Sequence, residues 1–203
     1  MLAKIKSIKK IDNNSKRYDI EVEKTHNFFA NNILVHNCST TYILKDGEFT
    51  VCSRNKWLKK PDMSTYWKIA KDFNIEDKLK KLNRNIAIQG EIYGDGIQSN
   101  RLKITGKNFA IYRIWDIDKQ EYILPEERHK ICNELGLEHV PVLRTNITIF
   151  NEKENMADLI LHADGKSMIN PKCSREGVVY KSMNGNNHFK VISNKYLIEC
   201  GKK

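Results

Sequence analysis

Residues 36–38 read His-Asn-Cys, three side chains whose combined chemistry could cut and rejoin a peptide bond. The side-chain amide nitrogen of Asn37 can attack its own backbone carbonyl carbon, which forms a succinimide and breaks the bond to Cys38. His36 can supply the proton that the departing amide needs, and hydrogen-bond donors can stabilise the oxyanion. The Cys38 thiolate could first accept an acyl group from an upstream thioester. Because such a triplet also occurs by chance in loops, the flanking sequence decides its meaning.

The flanking sequence RYDIEVEKTHNFFANNILVHNC closely resembles the C-terminal end of inteins. Inteins carry an Asp and a Thr-His-Asn-Phe in their penultimate conserved block, and a terminal His-Asn before a Cys, Ser or Thr. The resemblance implies a catalytic role in splicing for five residues: Asp19, His26, His36, Asn37 and Cys38. The first two would assist asparagine cyclisation. The last would be the acceptor nucleophile and first extein residue, and splicing would need no cofactor.

Residues 1–37 hold only the last part of such an intein, because neither an initial Cys or Ser nor a Thr-x-x-His block precedes Asp19. We therefore predict a C-terminal split-intein fragment that splices in trans with a separate chain carrying the N-terminal intein half and N-extein. An artificial fragment would look the same. Alternating runs such as KIKSIKKI predict a small β-rich, Hint-type unit. A segment of this length cannot bury a core of its own, so it needs a partner surface.

Residues 38–203 are predicted to form a second domain, of α+β type. Two alternating runs around Asp46 and Gly47 indicate a hairpin. Helical spacing occurs in DMSTYWKIAKDFNIEDKLKKL, LPEERHKICNELGL and NMADLILHAD. Strand patterns occur in IAIQGEIYGDGI, NFAIYRIWDI, EGVVYKS and HFKVIS. Because strands and helices do not alternate regularly, an α+β fold is favoured over a doubly wound one.

Five stretches of this second domain carry a wider resemblance: VCSRN, IQGEIYGDGIQSN, IYRIWDI, REGVVYK and FKVISNKYL. In order and spacing they resemble the adenylyltransferase domain of ATP-dependent RNA ligases of the RNA ligase 2-like group, from Cys38 to about Leu197. This implies an ATP-grasp-like nucleotidyltransferase fold that lacks its first segment. In the implied reaction a lysine attacks the α-phosphate of ATP, AMP passes to a 5′-phosphate end, and a 3′-hydroxyl displaces AMP.

The same resemblance implies a nucleotide-binding role for five residues: Arg54, Glu91, Trp115, Glu176 and Lys190. In that order they would contact the nucleotide or 5′-phosphate, hold the ribose, stack on adenine, organise the site and contact the α-phosphate. Glu176 would also be the ligand of Mg²⁺, so ATP and Mg²⁺ are the expected cofactors. Structural roles stay open, for instance a core position for Trp115 or a solvated strand end for Arg54.

The nucleophilic lysine of the expected K-x-D-G motif is missing, because the chain has ILVHN where that motif should precede STTYIL. Lys45 in LKDGEF lacks the intervening residue and is predicted to be a turn lysine. We expect the nucleophile on the partner's extein, with Cys38 following its glycine, so that this chain alone forms no lysine–AMP adduct. Many members of the family also have a second lysine two residues after Lys190, where this chain has Ile192. Whether Lys195 replaces that lysine stays open.

Composition sets the remaining expectations. A net charge of +10 predicts a polyanionic partner, nucleic-acid ends first, although Lys-rich chains can be basic through base composition alone. We expect no membrane span and no signal peptide. Five cysteines without a CxxC pair indicate neither a zinc site nor a disulfide framework, and favour a reducing cytoplasm. No OB-fold domain is expected after the last motif, which favours RNA as substrate. An ATP-dependent DNA ligase and a catalytically inactive nucleic-acid-binding fragment are the alternatives.

Overall fold

The computed structural model describes residues 5–10, 18–22, 28–30, 33–35, 39–54, 56–59, 63–149, 156–183 and 187–200. The chain divides into two compact units, Met1–Asn37 and Cys38–Gly201. Four of the residues with a predicted splicing role lie outside the described residues: His26, His36, Asn37 and Cys38. Their roles therefore stay predictions.

The described residues of the first unit form two antiparallel strand pairs. Strand β1 (Ile5–Lys10) pairs with β2 (Tyr18–Val22), which includes Asp19. Strand β3 (Phe28–Ala30) pairs with β4 (Ile33–Val35). All four strands coincide with the apolar runs and alternating segments of the sequence, as expected where one face of each strand is apolar.

The main sheet of the second unit is built from seven described strands. They are β5 (Ser39–Lys45), β6 (Glu48–Ser53), β7 (Trp57–Leu58), β8 (Ile86–Gly94), β9 (Lys107–Asp116), β10 (Glu121–Tyr122) and β11 (Glu138–His139). Their order is β10-β9-β8-β5-β6-β7, and β11 pairs with β9 in parallel while all other neighbours are antiparallel. Strand β5, which directly follows Cys38, is therefore a central strand.

Outside the main sheet lie a two-stranded ribbon and the helices. The ribbon pairs β12 (Gly177–Lys181) with β13 (His188–Ile192). The α-helices of the described residues are α1 (Thr65–Asp72), α2 (Ile75–Lys81), α3 (Pro125–Leu135), α4 (Met156–Ala163) and α5 (Asn194–Glu199). A short 3-10 helix, Gln98–Asn100, follows β8.

The predicted helix in residues 62–82 is in fact two helices. Asn74 adopts a left-handed conformation with φ of 50° and ψ of 43°, which ends the first helix and re-aims the second. Asparagine tolerates this conformation better than most residues do. Helix α5 was also not expected, since the sequence pattern indicated only strands in this last part of the chain.

One face of the main sheet packs against α1, α2 and α3. The core joins Tyr42 and Ile88 of the sheet to Ile69, Leu79 and Ile131 of the three helices. Along β8 the burial alternates, with even-numbered residues buried and odd-numbered ones half-buried. Because successive strand side chains point to opposite faces, the odd-numbered residues of β8, including Glu91, line the face that the helices leave open.

A β-bulge interrupts the pairing of β8 with β9. Gln89 is opposite Arg113 and Gly90 is opposite Ile111, so Tyr112 is the extra residue. Gly90 is required here, because a Cβ would overlap the Phe109 ring and lie 2.5 Å from the Ala110 carbonyl oxygen. The bulge allows Tyr112 and Arg113, two consecutive residues, both to lie on the open face, while Ile111 stays in the core.

Two further properties concern the described residues as a whole. No helix among them is both long enough and apolar enough to cross a membrane. The four cysteines in this part of the chain, Cys52, Cys132, Cys173 and Cys200, are free thiols.

Candidate functional site

Glu91 lies at the centre of the open face of the main sheet. The register places it opposite Ser39, whose hydroxyl donates a hydrogen bond of 2.9 Å to the carboxylate. Tyr112 lies close by: burial raises the pKa of its phenol, a hydrogen bond with Ser39 lowers it, and the charges of Glu91 and Arg54 also act on it. Arg54 itself is exposed and directly follows β6. Ser39, Arg54, Glu91 and Tyr112 thus form one polar group.

Further along β9, Arg113 and Trp115 point to the same face because they are two residues apart. Both pack on Tyr122 of β10. The Trp115 ring lies 4.7 Å from the Tyr122 ring in an edge-on arrangement, and the Arg113 guanidinium lies 4.4 Å from the centre of the same ring. Trp115 is half-buried, so it is not a core residue and keeps part of its surface open to a ligand.

Glu176 and Lys190 meet in the ribbon. The glutamate directly precedes β12, and the lysine lies in β13 opposite Val179. The Lys190 ammonium nitrogen lies 2.6 Å from Glu176 Oε1, and both side chains are about half exposed. An exposed pair of this kind contributes little to stability, so both groups can exchange partners at low cost.

Lys181 and His188 connect the ribbon to the main sheet. They are opposite each other at the far end of the ribbon. The Lys181 ammonium donates a hydrogen bond of 2.5 Å to the carbonyl oxygen of Tyr112, the bulge residue, and lies 5.4 Å from its ring centre. His188 Nδ1 lies 3.1 Å from Arg113 Nη2. Lys190 projects from the same side of the ribbon as Lys181 and His188, which is the side that contacts β9.

Positive charges accumulate beside Tyr112. Burial, followed by the charges of Arg128 and Arg113, lowers the pKa of Lys181 to about 8. The ion pairs of the described residues include none of these three cations. Arg128 Nε donates a 2.9 Å hydrogen bond to His139 Nε2, and burial lowers the pKa of His139 to about 4, which keeps its ring neutral. Mutual repulsion of this kind indicates a region suited to electron-rich ligands.

A divalent cation would find one exposed carboxylate here, that of Glu176. Among the described residues, no three His, Cys, Asp or Glu side chains are grouped so that they could hold a metal ion. This does not suit a metal caged by protein. It does fit Mg²⁺, which is commonly bound by one or two carboxylates and completed by water and substrate phosphates.

The structure brings three of the five predicted nucleotide-binding residues, Arg54, Glu91 and Trp115, to the open face of the main sheet. It pairs the other two, Glu176 and Lys190, in the ribbon, which contacts β9 through Lys181 and His188. All five roles stay predictions. Lys45 lies at the end of β5 beside the two-residue turn of the hairpin, as predicted. Lys195 lies beside Asp164: its backbone nitrogen donates to Asp164 Oδ1 at 3.3 Å, and the pKa of that carboxyl is lowered by the Ser193 hydrogen bond first and by the Lys195 charge as well.

Sequence reasoning missed several residues that lie beside the predicted ones on the open face or connect the ribbon to it: Ser39, Tyr112, Arg113, Tyr122, Lys181 and His188. A period of two was already visible in the strands. It would have placed Arg113 on the face of Trp115, and Lys181 on the face of Val179. The role of Tyr112 depends on the bulge, which the sequence pattern did not reveal.

A profile of the RNA ligase family matches residues 35–196. The chain belongs to the RNA ligase family. Solved structures agree: a variant of Naegleria gruberi RNA ligase with ATP and Mn is 34% identical, with a TM-score of 0.74, over 82% of this chain and 49% of that one. The Naegleria gruberi RNA ligase with pyrophosphate gives 34% identity and a TM-score of 0.74 over 83% and 50%. This chain therefore spans about half the length of the Naegleria gruberi ligases. It has a mixed α/β nucleotidyltransferase-like fold.

A second kind of relative is of a different class. The DNA polymerase of Thermococcus litoralis is 34% identical over 110 residues, which are 54% of this chain and 5% of the polymerase. The DNA polymerase of Thermococcus aggregans is 35% identical over 105 residues, again 5% of the polymerase. The similarity is confined to a small part of each polymerase.

Proposed function

We propose that residues 38–203 are the larger part of an ATP-dependent RNA ligase that becomes active after trans-splicing to a chain carrying the nucleophilic lysine. The observation that supports this most strongly is the match to the RNA ligase family over 35–196. The cytoplasm is the expected location. RNA ends are the proposed substrate, bound in part through the positive charge of the chain.

The separation of Glu176 from Lys190 supports their proposed roles. Solved variants of the Naegleria gruberi ligase replace a glutamate and a lysine that have the same separation along that chain. One of these variants contains AMP and Mn and the other ATP and Mn. We infer that Glu176 organises a divalent cation, Mg²⁺ in our proposal, and that Lys190 contacts the α-phosphate.

The position of the missing lysine supports an intein at residues 1–37. Other Naegleria gruberi variants replace a lysine and an aspartate two residues after it, the K-x-D pattern. The same separations from Glu176 fall at Leu34 and His36 of this chain. A ligase motif would thus be interrupted where the intein-like sequence ends. A similarity shared with only 5% of a DNA polymerase is compatible with an inserted element such as an intein.

The chain's own residues would act by positioning and by charge compensation. Glu91, held by Ser39, would accept hydrogen bonds from the ribose hydroxyls. Trp115 would stack on the base, and Arg54 would contact the nucleotide or the 5′-phosphate. ATP supplies the adenylyl group, and the divalent cation reduces the charge on its phosphates. Lys190 is paired with Glu176 and would turn to the phosphate once the glutamate takes up the cation.

Mixing this chain with its N-terminal partner, or with a related N-terminal split half, tests the splicing proposal. Intact mass spectrometry should show a released fragment ending at Asn37 and a new product joined at Cys38. The matched control is Asn37→Ala, which should block that release because the cyclising amide is gone. The N-terminal half is first shown to splice with its own C-terminal half. If this chain then keeps its full mass when mixed with it, the splicing proposal is refuted.

The spliced product then tests the ligase proposal. With ATP and Mg²⁺ it should gain one AMP per chain and seal a 5′-phosphorylated RNA end, whereas the unspliced chain should gain none. Glu176→Gln and Lys190→Ala should each abolish or strongly reduce the AMP adduct. A spliced product that forms no AMP adduct would favour a nucleic-acid-binding role instead.

A further inference from the structure

Arg101 is a cation near the ribbon that the sequence motifs do not explain. It follows the short helix Gln98–Asn100, in the loop after β8, ten residues beyond Glu91. Its side chain is exposed. The loop is hydrogen-bonded to the segment between α4 and the ribbon, because Asn170 Nδ2 donates a 2.8 Å hydrogen bond to the Leu102 carbonyl oxygen. Arg101 is therefore held close to the ribbon.

Helix α5, directly after β13, receives the Arg101 side chain. The guanidinium lies 5.6 Å from the centre of the Tyr196 ring, and Nη1 contacts Cys200 Sγ. Tyr196 also lies within electrostatic reach of Glu176: burial and the Glu176 charge raise the pKa of its phenol, and the Arg101 charge lowers it. The Ser193 N–H donates to the Glu176 carbonyl oxygen at 2.9 Å, and the Tyr196 N–H donates to Ser193 Oγ at 3.1 Å. Tyr196, and with it Arg101, therefore lies near the Glu176 end of the ribbon.

Among the described residues at the Glu176 end of the ribbon, the nearby lysines lie beside carboxylates, whereas Arg101 does not. Lys190 is neutralised by Glu176 at 2.6 Å, and Lys195 lies beside the Asp164 carboxylate. In contrast, the ion pairs of the described residues give Arg101 no carboxylate partner. A guanidinium held against an aromatic ring keeps its outer N–H groups available, and its planar fork matches the oxygens of a phosphate.

We propose that Arg101 is a phosphate-binding residue of the site, contacting the β- and γ-phosphates of ATP, or pyrophosphate, beside Glu176 and Lys190. The proposal rests on the proposed ligase function, since it deepens the same site. It assigns the 98–106 loop a function that its sequence alone does not indicate. A hydrogen bond to a charged group contributes enough affinity that its loss should weaken binding roughly 10-fold or more.

The test uses the chain as it exists and does not require splicing. Isothermal titration calorimetry measures the binding of ATP, AMP and pyrophosphate, each with Mn²⁺, to the wild-type chain and to Arg101→Ala. Affinity for ATP and pyrophosphate should fall roughly 10-fold or more, and affinity for AMP should change much less. Lys103→Ala is the matched control, an exposed cation of the same loop, and should leave all three affinities within about twofold.

A rescue variant separates phosphate binding from a structural role. Ile192 lies two residues from Lys190 on the same side of the ribbon, opposite Gly177. A lysine there would place a new cation near Glu176. Ile192→Lys added to Arg101→Ala should therefore restore part of the ATP affinity, although it cannot restore contacts with Tyr196 or Cys200.

The outcomes are distinguishable. If the wild-type chain binds none of the three ligands, both the proposed nucleotide site and this inference are wrong. If Arg101→Ala binds ATP and pyrophosphate like the wild type, only this inference is overturned. Equal weakening of AMP and ATP, with a lower melting temperature and no rescue, would also overturn it, because it would show that Arg101 only holds α5 in place. If Arg101→Ala weakens the binding of a 5′-phosphorylated RNA and leaves the ATP affinity unchanged, Arg101 binds the RNA and the nucleotide assignment is overturned.

Discussion

Lys181 is the residue for which the structure predicts the clearest pH effect. Its pKa falls from an ordinary value near 10.5 to about 8, chiefly because the ammonium is buried beside Arg128 and Arg113. A fall of this size corresponds to about 3.5 kcal/mol of unfavourable free energy for the charged form, at ~1.4 kcal/mol per pH unit. Because the side chain keeps some exposure to solvent, we expect about 1–2 kcal/mol of this to be realised.

The sign follows from proton binding. Between pH of about 8 and 10.5, the unfolded chain keeps the Lys181 proton while the folded chain releases it. The contribution of Lys181 to the free energy of unfolding therefore increases as pH rises through that window. Methionine at position 181 has a similar unbranched stem and no proton to release, so Lys181→Met removes the gain. The free energy of unfolding of the wild type relative to the variant should increase by about 1–2 kcal/mol from pH 7 to pH 10.

Urea denaturation followed by far-UV circular dichroism measures this difference at both pH values. The variant loses the hydrogen bond to the Tyr112 carbonyl at both pH values. Its energy therefore cancels when the change in the free energy of unfolding between the two pH values is compared. Lys172→Met, at an exposed position, controls for the loss of one positive charge. Parallel pH profiles for the wild type and Lys181→Met would refute the reasoning and show that the ammonium is well solvated.

Three other predictions concern residues that position the site. Gly90→Ala should lower the free energy of unfolding, measured in urea, by about 2–3 kcal/mol, because the added Cβ meets Phe109 and the Ala110 backbone. The control Gly47→Ala, whose Cβ meets nothing within 4 Å but whose φ is +80°, should lower it by about 1 kcal/mol. Equal losses in the two variants would contradict the steric explanation. Ser39→Ala should cost about 1 kcal/mol by loss of its hydrogen bond to Glu91 and should weaken ATP binding in calorimetry; unchanged ATP affinity would count against a role in holding the carboxylate. The wild type should lose stability as pH falls from about 6.5 to 4, because the unfolded chain protonates His139 and the folded protein does not, and His139→Gln should reduce this loss. Melting temperatures that fall equally with pH in both proteins would contradict the prediction.

Much of the fold was predictable because its elements have strong local patterns. The β5–β6 hairpin follows from two alternating runs around Asp46 and Gly47, both of which have positive φ. Helix α3 begins at Pro125 and ends before Gly136 in the left-handed conformation, as the sequence indicates. The two-residue strands β7, β10 and β11 could not be predicted, because so short a strand is defined by its neighbour in the sheet and not by its own sequence.

The candidate site was predictable residue by residue but not as an arrangement. Glu176 and Lys190 were each proposed from motifs, yet their ion pair depends on the register that sets Val179 opposite Lys190. Lys181 was missed because its importance comes from Tyr112, whose carbonyl is available only through the bulge. A motif gives the type of residue that chemistry needs, while long-range pairing decides which neighbours share its charge.

The position of the predicted seam has a direct consequence for the site. Ser39, the residue after Cys38, already lies in β5 and donates its 2.9 Å hydrogen bond to Glu91. Consecutive Cα atoms are about 3.8 Å apart, so the last residues of any segment joined to Cys38 must lie within a few residues' reach of Glu91. If splicing occurs at Asn37–Cys38, a lysine four residues before Cys38 in the joined product would lie five residues from Ser39 along the chain, within reach of the open face at Glu91. Splicing would then supply the missing nucleophile without rearranging β5, because this central strand is already paired with both of its neighbours before the joining reaction.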